Sequence, residues 1–423
     1  MALTLYNTMN RSKEEFRPRE GHRVKVFTCG PSIYRRPHLG NYRTFLYEDL
    51  LVKYLIYLGY EVRRVINFTD VEDKTLEEAA ARKMSLEELT RGIADIFFAE
   101  TALLKIQLPA KIPSATTSVE QAARLIERLV AAGYAYWYKG DVFFDPLKVK
   151  GFGRLYGLDM SRWPKGKVRF KKDTYNGQRW NRGDFILWHG HQDGSSAAWD
   201  TKIGRGRPSW NIQDPAMITE NLGEQVDINC GGIDNIYRHH DYNIAIMEAL
   251  SGKEYARYFL HGAHLIVDGK TMSKSRDNVL YPEDVLKKGY EPRHLRFFLL
   301  YTHYRKKLNF TFKSFDKTAR HLDAFRGLAR ELTPVPAGAQ SVKELTHLRA
   351  QAGEVLNGLI DRLKPEFEQA MNDDLDAGRA CEGLYALLQR IQEQAAGVPL
   401  PGPAASRIRE ELKKIDSVLG VIF

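Results

Sequence analysis

Cysteine is scarce in this chain. Only Cys29, Cys230 and Cys381 occur in 423 residues, too few for a disulfide framework and suited to a reducing compartment. No apolar run approaches the roughly 18 residues that suggest a membrane span. Met1–Arg23 also lacks the basic-then-apolar pattern of a secretory leader. The expectation is a cytoplasmic protein that makes no membrane contact. Internal repeats and low-complexity tracts are missing too, which excludes a repeat array. Acidic residues fall short of basic ones, 53 against 63, and leave a formal charge of +10. That balance points to polyanionic partners such as nucleotides or nucleic acid.

With 43% hydrophobic and 27% charged residues, the composition is that of a globular protein long enough for two or three domains. Val24–Cys29 is a short apolar strand ending at Gly30-Pro31. Thr44–Leu58 carries apolar residues at helical spacing, and Glu61–Phe68 alternates and is rich in Val and Ile. Strand, helix and strand of this length form a βαβ unit, hence a parallel sheet. Ser85–Gly133 reads as mostly helical, Tyr134–Asp145 and Asp184–Trp188 as strands, and Gln225–Glu283 as a second α/β stretch. After Phe310 the pattern is amphipathic helix, with breaks at Thr333–Ser341 and Ala396–Ser406. Between Ser161 and Gly183 eight Lys or Arg residues lie among Trp163, Phe170, Tyr175 and Trp180, against one acid, Asp173. Such interleaving suits a nucleic-acid strand, and it also suits a solvated loop anchored by buried aromatics.

Three strings carry chemistry. Pro37–Arg43 sits between the first strand and its helix, where unpaired N–H groups and the dipole favour a triphosphate. There Gly40 permits close approach, and His38 can donate to a phosphate oxygen. Asp227–Asp234 follows a strand; paired Gly231 and Gly232 allow flat packing against adenine, and Asp234 can hold ribose hydroxyls. In Asp268–Ser275, a mobile loop would bring lysine to the departing pyrophosphate. Taken singly each string is ordinary, the last a surface turn with two lysines; in this order, each at a strand end, they reinforce one another.

His38–Asn41 resembles the HIGH motif of class I aminoacyl-tRNA synthetases, and Thr271–Ser275 resembles their KMSKS loop. Within that class the chain is similar to cysteinyl-tRNA synthetases through Cys29–Tyr34, Asn67–Lys74, Pro208–Ile212, His239–Asp241, Met371–Asp374 and Leu419-Gly420. The resemblance implies an α/β architecture: a HUP-type Rossmann catalytic domain with an inserted acceptor-end region, then an α-helical, DALR-like bundle. Its expected boundaries are 1–100 and 208–316 for the two catalytic halves, 101–207 for the insertion and 317–423 for the bundle, with the anticodon-binding domain absent. It further implies an ATP-dependent ligase working with Mg²⁺, which forms an aminoacyl-adenylate and passes the aminoacyl group to an acceptor. His38, Asn41, Lys270 and Lys274 would be catalytic. Gly40, Gly231, Gly232, Asp234, Ser273 and Ser275 would bind ATP, and Cys29, Gly30, Thr69, Trp210, Asp214, His239 and Asn243 would form the amino-acid pocket.

The sequence departs from the family at several of these positions. Asn41 stands for the second His of HIGH, and Thr271 for the first Lys of KMSKS, with Lys270 beside it. The family's thiol-binding zinc uses two Cys, one His and one Glu. Here those positions hold Cys29, Asp214, His239 and Asn243, so the expectation is a pocket without zinc, Cys29, Asp214 and His239 being the ligands if one binds. Two further pocket positions are Asn211 and Asn229. With the rebuilt pocket and the missing module, the first expectation for the acceptor is a small-molecule amine, as in the mycothiol cysteine ligase. The alternatives are a truncated synthetase that charges tRNA, which the basic stretch favours, and a non-catalytic nucleotide- or RNA-binding paralogue.

Overall fold

An N-terminal hairpin, β1 (Thr4–Asn7) and β2 (Ser12–Glu15), leads into β3 (Arg23–Thr28). Val24, Val26 and Phe27 of β3 are buried on opposite faces, the pattern of a strand with helices on both sides. The computed structural model describes residues 2–159, 183–191, 197–273, 276–333, 348–395, 400 and 402–423. In it β3 pairs in parallel with β4 (Glu61–Ile66) on one side and with the strand Val226–Gly232 on the other. Val226–Gly232 in turn pairs in parallel with Ala256–Gly262. The chain winds from β3 to β4 and only much later reaches the opposite neighbour of β3. That reversal leaves a crevice at the carboxyl ends of the strands.

Helix α1 (Leu39–Tyr57) makes the crossover, burying Tyr42, Phe45, Leu46, Leu50, Leu51, Tyr54 and Leu55. It begins before the Thr44 that apolar spacing predicts, because its first turn is held by polar atoms that such spacing cannot register. Buried Arg43 donates to the carbonyls of Ala263, Leu299, Thr302, His303 and Lys306 at 2.6 to 3.5 Å. One side chain thereby ties the start of α1 to the loop that follows Leu299.

Two helices follow β4: α2 (Asp73–Arg82) and α3 (Leu86–Leu103), the latter opened by a Ser85–Glu88 capping box. The helix Val119–Ala131 then packs with an antiparallel sheet around Ile126, Leu129, Phe144 and Trp188. The region expected as strand over Tyr134–Asp145 is a hairpin, Ala135–Tyr138 with Asp141–Phe144, turning through Lys139 and Gly140 at φ 49° and 88°. The basic stretch Ser161–Gly183 lies, apart from Gly183, outside the described residues, as does the break Thr333–Ser341 apart from Thr333.

Beyond Phe310 the described residues form the helices Phe312–Leu332, Leu348–Asp361, Leu363–Met371, Ala377–Ala395 and Gly402–Leu419. The last begins inside the expected break, since Pro403 is compatible with a first helical turn. Arg296 joins these helices to α1: its Nη2 meets Asp49 Oδ2 at 2.9 Å, and its Nε donates to Leu419 O at 2.6 Å. Among the described residues no helix is long and apolar enough to cross a membrane.

Candidate active site

At the head of α1, His38 and Asn41 cap each other. The Asn41 N–H donates to His38 Nδ1 at 3.3 Å, and the His38 N–H donates to Asn41 Oδ1 at 2.9 Å. Burial holds His38 below the usual imidazole range, so the ring is neutral near pH 7. With Nδ1 accepting, its proton sits on Nε2, where it can be donated. The Asn41 amide likewise keeps its NH₂ outside the cap. A Cβ on Gly40 would lie 2.9 Å from both His38 Cε1 and Met272 Cε, so a larger residue would have to displace the Met272 methyl and crowd the His38 ring.

These groups open into a cavity of about 430 Å³. His38 and Asn41 line it together with Met272 and Ser273. Gly232, Asp234 and Asn235, at and just beyond the end of the strand Val226–Gly232, line it too, while Cys29, Gly30, Thr69, Trp210 and His239 form the inner end. Beyond β3 and β4 the two chain segments run close together at that end. Ile33 N donates to Thr69 O at 3.0 Å, Thr69 N donates to Pro31 O at 3.2 Å, and a Cβ on Gly30 would sit 1.8 Å from Asn67 O.

Behind the inner wall lies a buried polar cluster. The helix Trp210–Asn221 supplies Asp214, which is 1% exposed. Its Oδ1 accepts from Asn67 Nδ2 at 2.9 Å; its Oδ2 accepts from Asn243 Nδ2 at 3.3 Å and faces His239 Nε2 at 2.8 Å. Arg238, at a left-handed φ of 69°, turns the chain so that His239 and His240 enter the interior ahead of the helix Asp241–Ser251. Trp210 stacks on His239 with centroids 4.3 Å apart and rings inclined by 11°.

A second set of contacts runs from Cys29. Its Sγ lies 3.1 Å from His240 Nε2; His240 Nδ1 is 2.7 Å from His261 Nε2, and His261 Nδ1 is 2.8 Å from Thr8 Oγ1. Burial pushes His261 down to about 3 and His240 well below the usual range, so both rings stay neutral. Burial, reinforced by the Asp214 carboxylate, pushes the Cys29 thiol up, and it stays protonated. The order that satisfies each atom has Cys29 S–H donating to His240, His240 to His261, and His261 to Thr8.

The structure thus brings together at the cavity Cys29, Gly30, His38, Asn41, Thr69, Trp210, Gly232, Asp234, His239 and Ser273. Gly40 and Gly231 stand just behind its wall, Gly231 with room for no Cβ because His240 Cε1 would be 2.8 Å away. Asp214 and Asn243 are buried beneath it. Lys270 is exposed on the antiparallel pair Val267–Lys270 and borders a separate surface hollow. Lys274 and Ser275 lie outside the described residues.

Sequence reasoning missed Arg36, whose guanidinium lines the cavity, pairs with Glu100 and Glu283, and packs over Tyr281. Glu100 also accepts from Tyr42 at 2.5 Å. The double arginine at 35–36 before Pro37 was the available signal. Asn67 and His261 carried no chemical signature of their own.

Cys29, His239 and His240 place their ligand atoms within 4.8 Å of one another. The full set nevertheless does not fit the zinc that the resemblance implies. One thiolate is a carboxylate and the carboxylate is an amide. The Asn243 NH₂ group faces Asp214 Oδ2, the oxygen a metal would need, and that oxygen also faces His239 Nε2.

Comparison with known proteins agrees with this geometry. The family described as "tRNA synthetases class I (C) catalytic domain" matches residues 15–320. The cysteine–tRNA ligase of Solibacter usitatus is 33% identical over 422 residues, covering 100% of this chain and 87% of that protein. That of Chlamydia abortus is 35% identical over 425 residues, covering 99% and 86%. Among solved structures, Mycobacterium tuberculosis methionyl-tRNA synthetase bound by methionyl-adenylate superimposes with a TM-score of 0.65 at 15% identity, over 95% of this chain and 90% of that one. That last likeness concerns the fold.

Proposed function

This chain belongs to the class I cysteinyl-tRNA synthetase family, and from that premise we propose that it activates an amino acid with ATP and transfers it to tRNA. In the first step the amino-acid carboxylate attacks the α-phosphate of Mg²⁺-bound ATP; the bond to the β-phosphate oxygen breaks, and pyrophosphate leaves. In the second, a ribose hydroxyl at the tRNA acceptor end attacks the activated carbonyl, and AMP leaves.

The observation that carries this reading is the single cavity. It joins the head of α1, the end of the strand Val226–Gly232 and the Cys29–Trp210–His239 pocket. His38 Nε2–H and the Asn41 amide would donate to the phosphate oxygens, beside the positive end of the α1 dipole. Gly232 and Asp234 would hold adenosine. Lys270 and Lys274 would join from the loop when it closes on pyrophosphate.

Relatives named as cysteine–tRNA ligases over nearly the whole chain support tRNA as acceptor and cysteine as the first amino acid to test. They lend no support to the small-molecule amine. The test is amino-acid-dependent ATP–pyrophosphate exchange across the proteinogenic amino acids, followed by charging of bulk tRNA. Cysteine-dependent exchange and acid-precipitable charged tRNA are expected. Folded protein that binds ATP yet exchanges with no amino acid overturns the reading.

A further inference from the structure

Resting on the reading that this cavity activates an amino acid, we propose that the chain selects it without a metal, the Asp214–His239 pair with Asn67 and Asn243 closing the pocket floor instead. In the resemblance, zinc at this place binds the substrate thiol. Here Asp214, Asn67, Asn243, His239, Cys29 and His240 make their polar contacts with one another, and only His239 Nδ1 and Asn243 Oδ1 of this set stay buried without a partner. Asp214 takes the amides of Asn67 and Asn243 and faces His239 Nε2 at 2.8 Å. His240 Nε2 takes the Cys29 thiol at 3.1 Å, while its other nitrogen meets His261 at 2.7 Å.

A thiolate-rich site gains its zinc affinity from soft ligands, and Cys29 is the one soft ligand among these residues. The amide at 243 adds no charge and turns its donor hydrogens towards the carboxylate. A metal would have to break the Asp214–His239 contact and expel the Asn243 NH₂ group from its acceptor. Each step carries a desolvation or hydrogen-bond cost. What the ligand meets is therefore a protein surface: Cys29, Thr69 and the His239 ring under Trp210.

Selection on such a surface rests on size and on hydrogen bonding. Without a metal–sulfur bond, little separates a thiol from a hydroxyl of nearly equal size. The preference for cysteine over serine is expected to stay within about 200-fold, the range such a pocket commands.

The experiment measures zinc in the full chain, grown with added zinc, by native mass spectrometry and elemental analysis. Wild type is expected to hold far less than one zinc per chain. The double variant Asp214→Cys/Asn243→Glu restores the donors and is expected to hold about one, the stoichiometry of a closed four-ligand site. Cysteine- and serine-dependent exchange by the wild type should not change with a zinc chelator. Wild type carrying one zinc per chain, with exchange abolished by chelation, overturns the inference. So does a folded double variant that takes up no zinc. Silence in exchange with every amino acid sinks the activation reading instead, while the zinc contents still decide the metal question.

Discussion

The two ends of the cavity are built on different principles. At the end proposed for the nucleotide, a helix start and a strand end bring three glycines to the wall or just behind it, and the mutual cap of His38 and Asn41 leaves the His38 Nε2–H and the Asn41 NH₂ outside it. At the amino-acid end, side chains do the work and are largely satisfied by one another, with Asp214 and Asn243 sealed beneath the wall. Donors supplied by backbone tolerate changes in nearby side chains. A cluster of buried polar side chains must change as a set, because one unmatched group costs as much as several matched ones contribute.

The largest expected effect would break both ends at once. Arg43→Met keeps the bulk of the side chain but takes the guanidinium donors away from five carbonyls, of which that of His303 keeps the Lys306 N–H. A loss of about 3–5 kcal/mol is expected, read as the shift in urea midpoint. A shift no larger than that of an exposed Arg23→Met control would mean that Arg43 does not hold α1 in place.

Next, a pair of variants separates the ends. His38→Ala should lower kcat for exchange by about 10²–10³ with little change in KM for the amino acid, the effect of removing a donor to developing charge. Asp214→Asn should do the reverse, raising KM for the amino acid by about 10-fold and leaving KM for ATP in place, because one buried acceptor is weakened. Equal effects of both variants on both substrates would show that the ends are one energetic unit.

The smallest effect tests the ground between them. Glu48 on α1 is fully buried, and desolvation pushes its carboxyl up to about 8 from 4.5, with Arg64 3.6 Å away pulling it down. A carboxyl raised in the folded state binds its proton more tightly than in the unfolded chain. Stability from this group is complete below about pH 4.5 and declines as pH rises towards about 8. Glu48→Gln should remove that decline, a gain on the order of 2 kcal/mol near pH 8 in chemical unfolding. An unchanged pH profile would show that Arg64 keeps Glu48 ionised throughout.

Much of the framework was legible beforehand. The burial on both faces of β3, the helical spacing of α1 and the late switch to helices after Phe310 all follow from hydrophobic period, which a linear sequence carries openly. The end proposed for the nucleotide was legible for a similar reason: Gly40, Gly231 and Gly232 mark places where backbone must come close, and glycine announces this locally. The start of α1 and the turn at Lys139-Gly140 that splits the strand region Tyr134–Asp145 were not legible, since both depend on polar caps and turns that apolar spacing does not encode.

The amino-acid end was legible only as a list of departures. Asp214 read as a residue that could face a substrate, yet the helix Trp210–Asn221 buries it behind His239, where Asn67, Asn243 and His239 converge from three separate segments. Nothing in the sequence marked the tertiary roles of Arg36 and Arg43, and packing made one a wall of the cavity and the other a buried clamp. The sequence by itself determined the family, through its motif strings, and the layered α/β framework and the glycine turns at the strand ends, because these rest on local periodicity and on glycine. Only the tertiary structure decided which polar side chains satisfy one another, since a hydrogen bond between residues dozens of positions apart exists only once the chain has brought them within 3 Å or so of each other.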